Sequence, residues 1–157
     1  IGSAGTVAAN RAFVEHEESF WVFYADNLTD VSLGDMLATH RRHDRLMTMG
    51  LFRAPVPSAA GIVELDAGGR VVAFEEKPAH PRSDLANAGV YLARRGLLDR
   101  IPARDGCVDF GHDVFPALAG EIHGHVIEQF IADIGTPAAL DAASGAWARH
   151  LGKGPRR

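Results

Sequence analysis

Apolar and polar positions alternate along this chain in blocks that change period from one stretch to the next. Val7, Ala8, Ala12 and Val14 recur at helical spacing and predict a helix reaching about Glu15. The run Phe20-Trp21-Val22-Phe23-Tyr24-Ala25 is continuously apolar and stops at Asp26-Asn27, which predicts a strand buried on both faces, as in a parallel sheet. A helix follows over 33–44, with Asp30 or Ser32 as its cap, and then a strand over 46–54 closed by Pro55 and Pro57. Two apolar stretches, 61–65 and 70–74, flank Asp66-Ala67-Gly68-Gly69 and predict a β-hairpin that ends at Glu75-Glu76-Lys77-Pro78. Beyond a polar loop the pattern predicts a strand over 88–93, short helices over 96–100 and 113–119, and a strand over 122–127. A last helix starts at Thr136-Pro137 and runs to about His150.

Strands alternating with helices imply an α/β architecture with a hairpin inserted in the middle. With 157 residues, 46% of them hydrophobic, the chain is expected to form one domain over 1–151, followed by a flexible tail over 152–157. The net charge of −4 argues against nucleic acid or an anionic membrane as partner, since both attract basic faces. No apolar run approaches the roughly 20 residues of a bilayer span, and no leader pattern opens the chain. Cys107 is the single cysteine, so no intrachain disulfide forms, and a cytoplasmic location is expected.

Candidate chemistry sits where the apolar runs end. Asp26 closes a strand and would lie at the carboxyl edge of the sheet, where ligands bind. A carboxylate there suits Mg²⁺, which takes one or two carboxylates and completes its shell with phosphates and water; a turn-starting acid is the alternative. Asp133, between an apolar segment and the last helix, is either the second such ligand or an acid favoured by the helix dipole. Glu76-Lys77-Pro78 offers a hydrogen-bond acceptor and a point charge suited to phosphate, or simply a charged hairpin end. Gly2-Ser3-Ala4-Gly5 before a helix presents backbone N–H groups, though at neither the dinucleotide nor the P-loop spacing. The pairs His40/His43 and His123/His125 have cationic neighbours and no completing ligand set, so they are assigned to solvated faces, and Cys107 to a buried or inert thiol.

Taken in order, six short segments resemble the sugar-nucleotide pyrophosphorylases, the nucleotidyltransferases that make nucleotide-diphosphate sugars. They are Gly2-Ser3-Ala4-Gly5-Thr6, Asp26-Asn27, Glu76-Lys77-Pro78, Asn87-Ala88-Gly89-Val90-Tyr91, Asp109-Phe110-Gly111 with Val114-Phe115-Pro116, and Asp133-Ile134-Gly135-Thr136-Pro137. The resemblance implies a Rossmann-like, mostly parallel sheet with helices on both faces, binding an NTP and a sugar 1-phosphate. It implies Mg²⁺ on Asp26 and Asp133, Lys77 on the sugar phosphate, and Glu76 and Asn87 on sugar hydroxyls. Gly61 would line the sugar pocket, and Gly2, Ala4 and Gly5 would face the nucleobase. Three positions depart from the family pattern: Ala25 before the first metal Asp, Ala60 before Gly61, and Phe130-Ile131-Ala132 before the last Asp. The last variant leans toward members acting on mannose- or heptose-type 1-phosphates with GTP. The family's opening strand and Gly-rich phosphate loop would lie before Ile1, so the chain by itself is expected to be N-terminally incomplete, inactive and left with exposed apolar sheet surface.

Competing expectations remain. A non-catalytic relative would keep the fold as a regulatory or sugar-nucleotide-binding module. A homo-oligomer would hide the exposed edge. A glycosyltransferase of similar fold would want Asp-x-Asp after a strand, which Asp26-Asn27-Leu28 does not supply.

Overall fold

A computed structural model describes residues 1–152. Apart from Gly152, the expected tail therefore lies outside the described residues. Among those described, a mixed sheet runs in the order β5-β4-β6-β3-β7, with β1 also paired to β6, and a separate ribbon joins β2 to β8. The strands are β1 (Ser19–Phe23), β2 (Asn27–Thr29), β3 (Met47–Arg53), β4 (Gly61–Leu65), β5 (Val71–Glu76), β6 (Leu85–Arg94), β7 (Ile122–Val126) and β8 (Ile131–Asp133). The helices are α1 (Ser3–Ala9), α2 (Leu33–His43) and α3 (Pro137–Leu151).

The α/β class and the inserted hairpin match the sequence pattern. Parallel pairing, however, is confined to β3 with β7, and the remaining pairs are antiparallel. The central strand β6 runs against β1 through Phe23↔Val90, against β3 through Leu51↔Asn87, and against β4 at Ile62↔Ala86. Alternation along β3 separates two faces. Met47, Met49 and Leu51 enter the main core with Tyr91, Phe110 and Phe115, whereas Thr48 points to α2 and accepts or donates to His40 Nδ1 at 2.9 Å. Helices thus cover both faces, with Ala4 of α1 in the main core and Met36 of α2 buried on the opposite side.

Local chemistry sets the element ends. Ser32 caps α2 by accepting the Asp35 amide at 3.2 Å, and Thr136 caps α3 by accepting the Ala139 amide at 3.1 Å, ahead of Pro137. Asp66 Oδ1 accepts the amides of Gly68 and Arg70, both at 2.9 Å, and so closes the β4–β5 turn.

Three expectations need correction. The run 20–25 is not buried on both faces. Phe20 is buried and Val22 packs on the core, but Trp21 and Phe23 point the other way and stack on each other at 5.8 Å, with Phe23 48% exposed. An unbroken apolar run hides the period of two, so only the fold reveals which face is covered. The first helix ends at Ala9, where Asn10 turns its side-chain amide back onto the Thr6 carbonyl, and a single 3₁₀ turn continues over Arg11–Phe13. The helix expected over 113–119 is a π turn, Phe110–Val114, running into a 3₁₀ turn, Phe115–Leu118, because Asp109 caps the earlier start and Pro116 brings no N–H for an α ladder. Beyond these, the three-residue strands β2 and β8 carry no periodic signal and were not expected.

Candidate functional site

The β2–β8 ribbon brings the two outlying aspartates together. Its register places Asn27 opposite Asp133, and the Ile134 amide donates to the Asp26 carbonyl at 2.7 Å. Gly135 sits between the two side chains: a Cβ on it would lie 3.3 Å from Asp26 Oδ2 and 3.4 Å from Asp133 Oδ1. Asp133 Oδ1 accepts the Gly135 amide at 2.9 Å, while the Asp26 carboxylate takes no hydrogen bond from the described residues.

The starts of β4 and β6 and the end of β5 meet beside this ribbon. Gly61 pairs with Glu76, and Glu76 Oε2 fits between two glycines; a Cβ would lie 2.8 Å from it at Gly61 and 2.7 Å from it at Gly111. Asn87 is held at both ends of its amide: Oδ1 accepts the Gly89 N–H at 3.0 Å, and Nδ2 donates to the Tyr91 hydroxyl at 2.8 Å. Gly89 has φ +66°, and a Cβ there would approach Asn27 Nδ2 to 2.5 Å, so the irregular stretch of β6 that seats Asn87 requires glycine.

These pieces enclose one cavity of about 290 Å³, lined by Asp26, Gly61, Glu76, Asn87 and Asp133 and also by Tyr24, Phe52, Asp109 and Gly111. Asp109 opens the segment Asp109-Phe110-Gly111. Here its carboxylate accepts Ser3 Oγ at 2.7 Å and the Gly111 amide at 2.8 Å, so it joins α1 to the π turn and forms a wall of the cavity. Burial pushes the Tyr91 hydroxyl well above the usual phenol range and raises that of Tyr24, so both stay neutral donors and acceptors, Tyr24 in the lining and Tyr91 beneath it.

Lys77 follows Glu76 directly and is exposed, with φ +48° and its amide on the Ala60 carbonyl at 3.1 Å; it stands beside the cavity rather than among its lining residues. Gly2, Ala4 and Gly5 do not line it either. Ala4 is fully buried, Gly2 packs on the Val108 carbonyl, and the Gly5 amide already donates to that carbonyl at 3.0 Å.

The lining thus holds carboxylates at Asp26, Glu76, Asp109 and Asp133, and no Lys or Arg. Like charges gathered around a small volume repel a phosphate unless a cation intervenes. Among the described residues no group of three or more His, Cys, Asp or Glu forms a metal cage. Asp26 and Asp133, flanking Gly135 with oxygens to spare, nonetheless fit the donor set of a Mg²⁺ that draws its remaining ligands from substrate and water.

The histidines and the cysteine are placed differently from the sequence expectation. His40 and His123 are buried, and the rings of His43 and His123 stack at 3.6 Å. Helix α2 packs on β3 and β7, so residues whose polarity suggested solvent fall into that seam. Cys107 is exposed, in the loop before the π turn. Burial, reinforced by His43 and Arg45, lowers the His123 pKa to about 4, and burial lowers His40 and His125 as well. Folding therefore favours the neutral rings, and the unfolded chain binds more protons between about pH 6.5 and about 4. Stability should be fully present above that window and fall through it on acidification, by about 2–3 kcal/mol from His123 alone. Urea titrations across the window measure this, and His123→Gln should flatten the slope.

The described residues contain no helix long and apolar enough to cross a membrane. Over 160 residues the chain is 35% identical to the mannose-1-phosphate guanylyltransferase of Mycobacterium tuberculosis, covering 99% of this chain and 44% of that protein. It is 32% identical over 141 residues to the catalytic subunit beta of mannose-1-phosphate guanylyltransferase from Danio rerio, covering 87% of this chain and 39% of the relative. The chain therefore spans about two fifths of the length of these curated relatives. A Bacillus anthracis protein described as a glucose-1-phosphate thymidylyltransferase, solved in complex with sucrose, has the same fold. Its TM-score is 0.77 at 18% identity, covering 92% of this chain and 60% of that one. The family described as nucleotidyl transferase matches residues 1–149, and the chain belongs to that family.

Proposed function

We propose that the gene product carrying this chain transfers a nucleotidyl group from an NTP to a sugar 1-phosphate, giving an NDP-sugar and pyrophosphate. The carrying observation is the convergence of Asp26, Asp133, Glu76 and Asn87 on one cavity from four separate parts of the chain. An oxygen of the sugar phosphate attacks the α-phosphorus in line; the new P–O bond forms as the bond to the β-phosphate breaks, and pyrophosphate leaves. No covalent enzyme intermediate is needed, so the protein's share is positioning and charge neutralisation.

Glu76 accepts hydrogen bonds from sugar hydroxyls in the space left by Gly61 and Gly111, and Asn87 adds a donor and an acceptor beside it. Lys77 meets the sugar phosphate at the cavity mouth. The nucleobase borders the half-buried Gly2 and Gly5 at the start of α1, with Ala4 supporting them from the core. Asp26 and Asp133 hold Mg²⁺, which when bound neutralises the phosphates and polarises the α-phosphoryl group. Retaining both carboxylates favours catalysis over a purely regulatory module, because a sensor of sugar nucleotides has no need of them for chemistry. The single, exposed Cys107 suits a reducing cytoplasm. Phe23, exposed and stacked on the half-buried Trp21, offers a surface for a second copy.

The test is pyrophosphate release by the intact gene product with Mg²⁺, using the common NTPs against a panel of sugar 1-phosphates. Release with one pair, mannose 1-phosphate and GTP foremost, is expected. Absence of release with every pair, alongside calorimetric binding of NDP-sugars, would instead establish the regulatory module.

A further inference from the structure

Beneath the sugar side of the cavity lies a polar residue that touches no solvent. Tyr91 is fully buried among Phe110 and Phe115, and its hydroxyl accepts from Asn87 Nδ2 at 2.8 Å. The direction of that bond is fixed by chemistry. The Gly89 N–H can only donate, so the atom facing it at 3.0 Å is Asn87 Oδ1, and the amino group must face Tyr91. Tyr91 therefore spends a lone pair on Asn87. Tyr24 packs edge-on against Tyr91 at 5.6 Å, and Ser3 donates to Asp109 nearby.

This arrangement leaves the Asn87 side chain with one unused N–H and one unused lone pair on the wall of the cavity. We propose that Tyr91 is a positioning residue that pins the Asn87 amino group in the polarity set by Gly89, and that the site thereby selects sugars presenting two adjacent hydroxyls, one accepting from Nδ2 and the other donating to Oδ1. The inference rests on the reading of Asn87 as a sugar ligand. Without the phenol, the Gly89 amide alone holds the side chain, and its amino group is free to swing away from the sugar. The nucleotide half of the reaction lies outside this contact and is untouched by it.

The experiment is a double-mutant cycle in the intact gene product, with Tyr91→Phe, Asn87→Ala and the pair. Tyr91→Phe should raise KM for the sugar 1-phosphate about five- to tenfold, the loss of one neutral hydrogen bond, while KM for the NTP and kcat stay within about twofold. On the Asn87→Ala background the same change should have no further effect beyond that twofold margin. An equal loss on both backgrounds, or a parallel rise in KM for the NTP, would mean that Tyr91 only supports the core and would overturn the inference. Calorimetric titration of the sugar 1-phosphates runs the same cycle without turnover. Wild-type protein that binds none of them sinks the functional reading, whereas wild-type binding unaffected by Tyr91→Phe sinks this inference alone.

Discussion

Replacing Asp26 by asparagine should lower pyrophosphate release by the intact gene product about 10²- to 10³-fold while leaving its thermal midpoint nearly unchanged. The two halves of this expectation come from the same geometry. Asp26 is exposed and its carboxylate receives no hydrogen bond from the described residues, so removing the charge breaks nothing that holds the fold. Surface changes of this kind move stability by about 0.5 kcal/mol at most. The charge matters only once phosphate enters a cavity already lined by Glu76, Asp109 and Asp133. A group that neutralises charge where it develops is worth about 3–4 kcal/mol of barrier, which is the fold-change stated. Raising Mg²⁺ should recover part of the loss, because the defect is in cation affinity rather than in the shape of the sugar site. Unchanged turnover would take Asp26 out of the metal site and leave it as a turn residue after β1.

How much of this site could be read in the sequence depends on how local its causes are. Asp26, Glu76 and Asp133 were legible because each stands where an apolar run ends, and the ends of strands are where an α/β sheet exposes side chains to a ligand; Asn87 was legible only through the family segment Asn87-Ala88-Gly89-Val90-Tyr91. Gly61 opens a strand whose hairpin partner is announced by Asp66-Ala67-Gly68-Gly69, but that turn alone would set it opposite Phe74; the pairing with Glu76 depends on the register shift between Glu64 and Leu65. The ribbon that joins Asp26 to Asp133 was not legible. Three residues on each side cannot show a period, and the two strands lie about a hundred positions apart, so the pairing belongs to the tertiary fold. Tyr24 and Tyr91 read as ordinary strand residues because their apolar bodies satisfy the pattern and their hydroxyls leave no mark on it. The histidines were misassigned for a related reason: polarity marks a residue as exposed only when no partner awaits it, and Thr48 and Thr39 wait for His40 and His125. The Gly2-Ser3-Ala4-Gly5 segment offers backbone N–H groups in the sequence, yet Gly2 is small because the Val108 carbonyl presses against it, and the Gly5 amide is already in use.

Phe115→Ala should be the costliest single change at the floor of the cavity, about 3–5 kcal/mol, because it removes the ring on which three others meet. Phe115 is fully buried, with Phe74 at 5.1 Å, Tyr91 at 5.2 Å and Phe110 at 5.2 Å between ring centroids. These neighbours carry the chemistry above them. Phe74 precedes Glu76 by two residues on β5, Tyr91 holds Asn87, and Phe110 lies between Asp109 and Gly111. The surrounding strands and the turn at Pro116 fix the backbone, so the void cannot close cheaply, and the loss exceeds the transfer cost of the ring alone. At roughly 2–4 °C per kcal/mol for a chain of this size, the midpoint should fall by about 10 °C. Phe13→Ala is the control, since that ring is 85% exposed and its removal should move stability by about 0.5 kcal/mol or less. Equal costs at the two positions, read by urea titration, would mean that the aromatic cluster does not support the floor. A large cost at Phe115, with sugar affinity lost before global unfolding begins, would tie the packing of the core directly to the placement of Glu76 and Asn87.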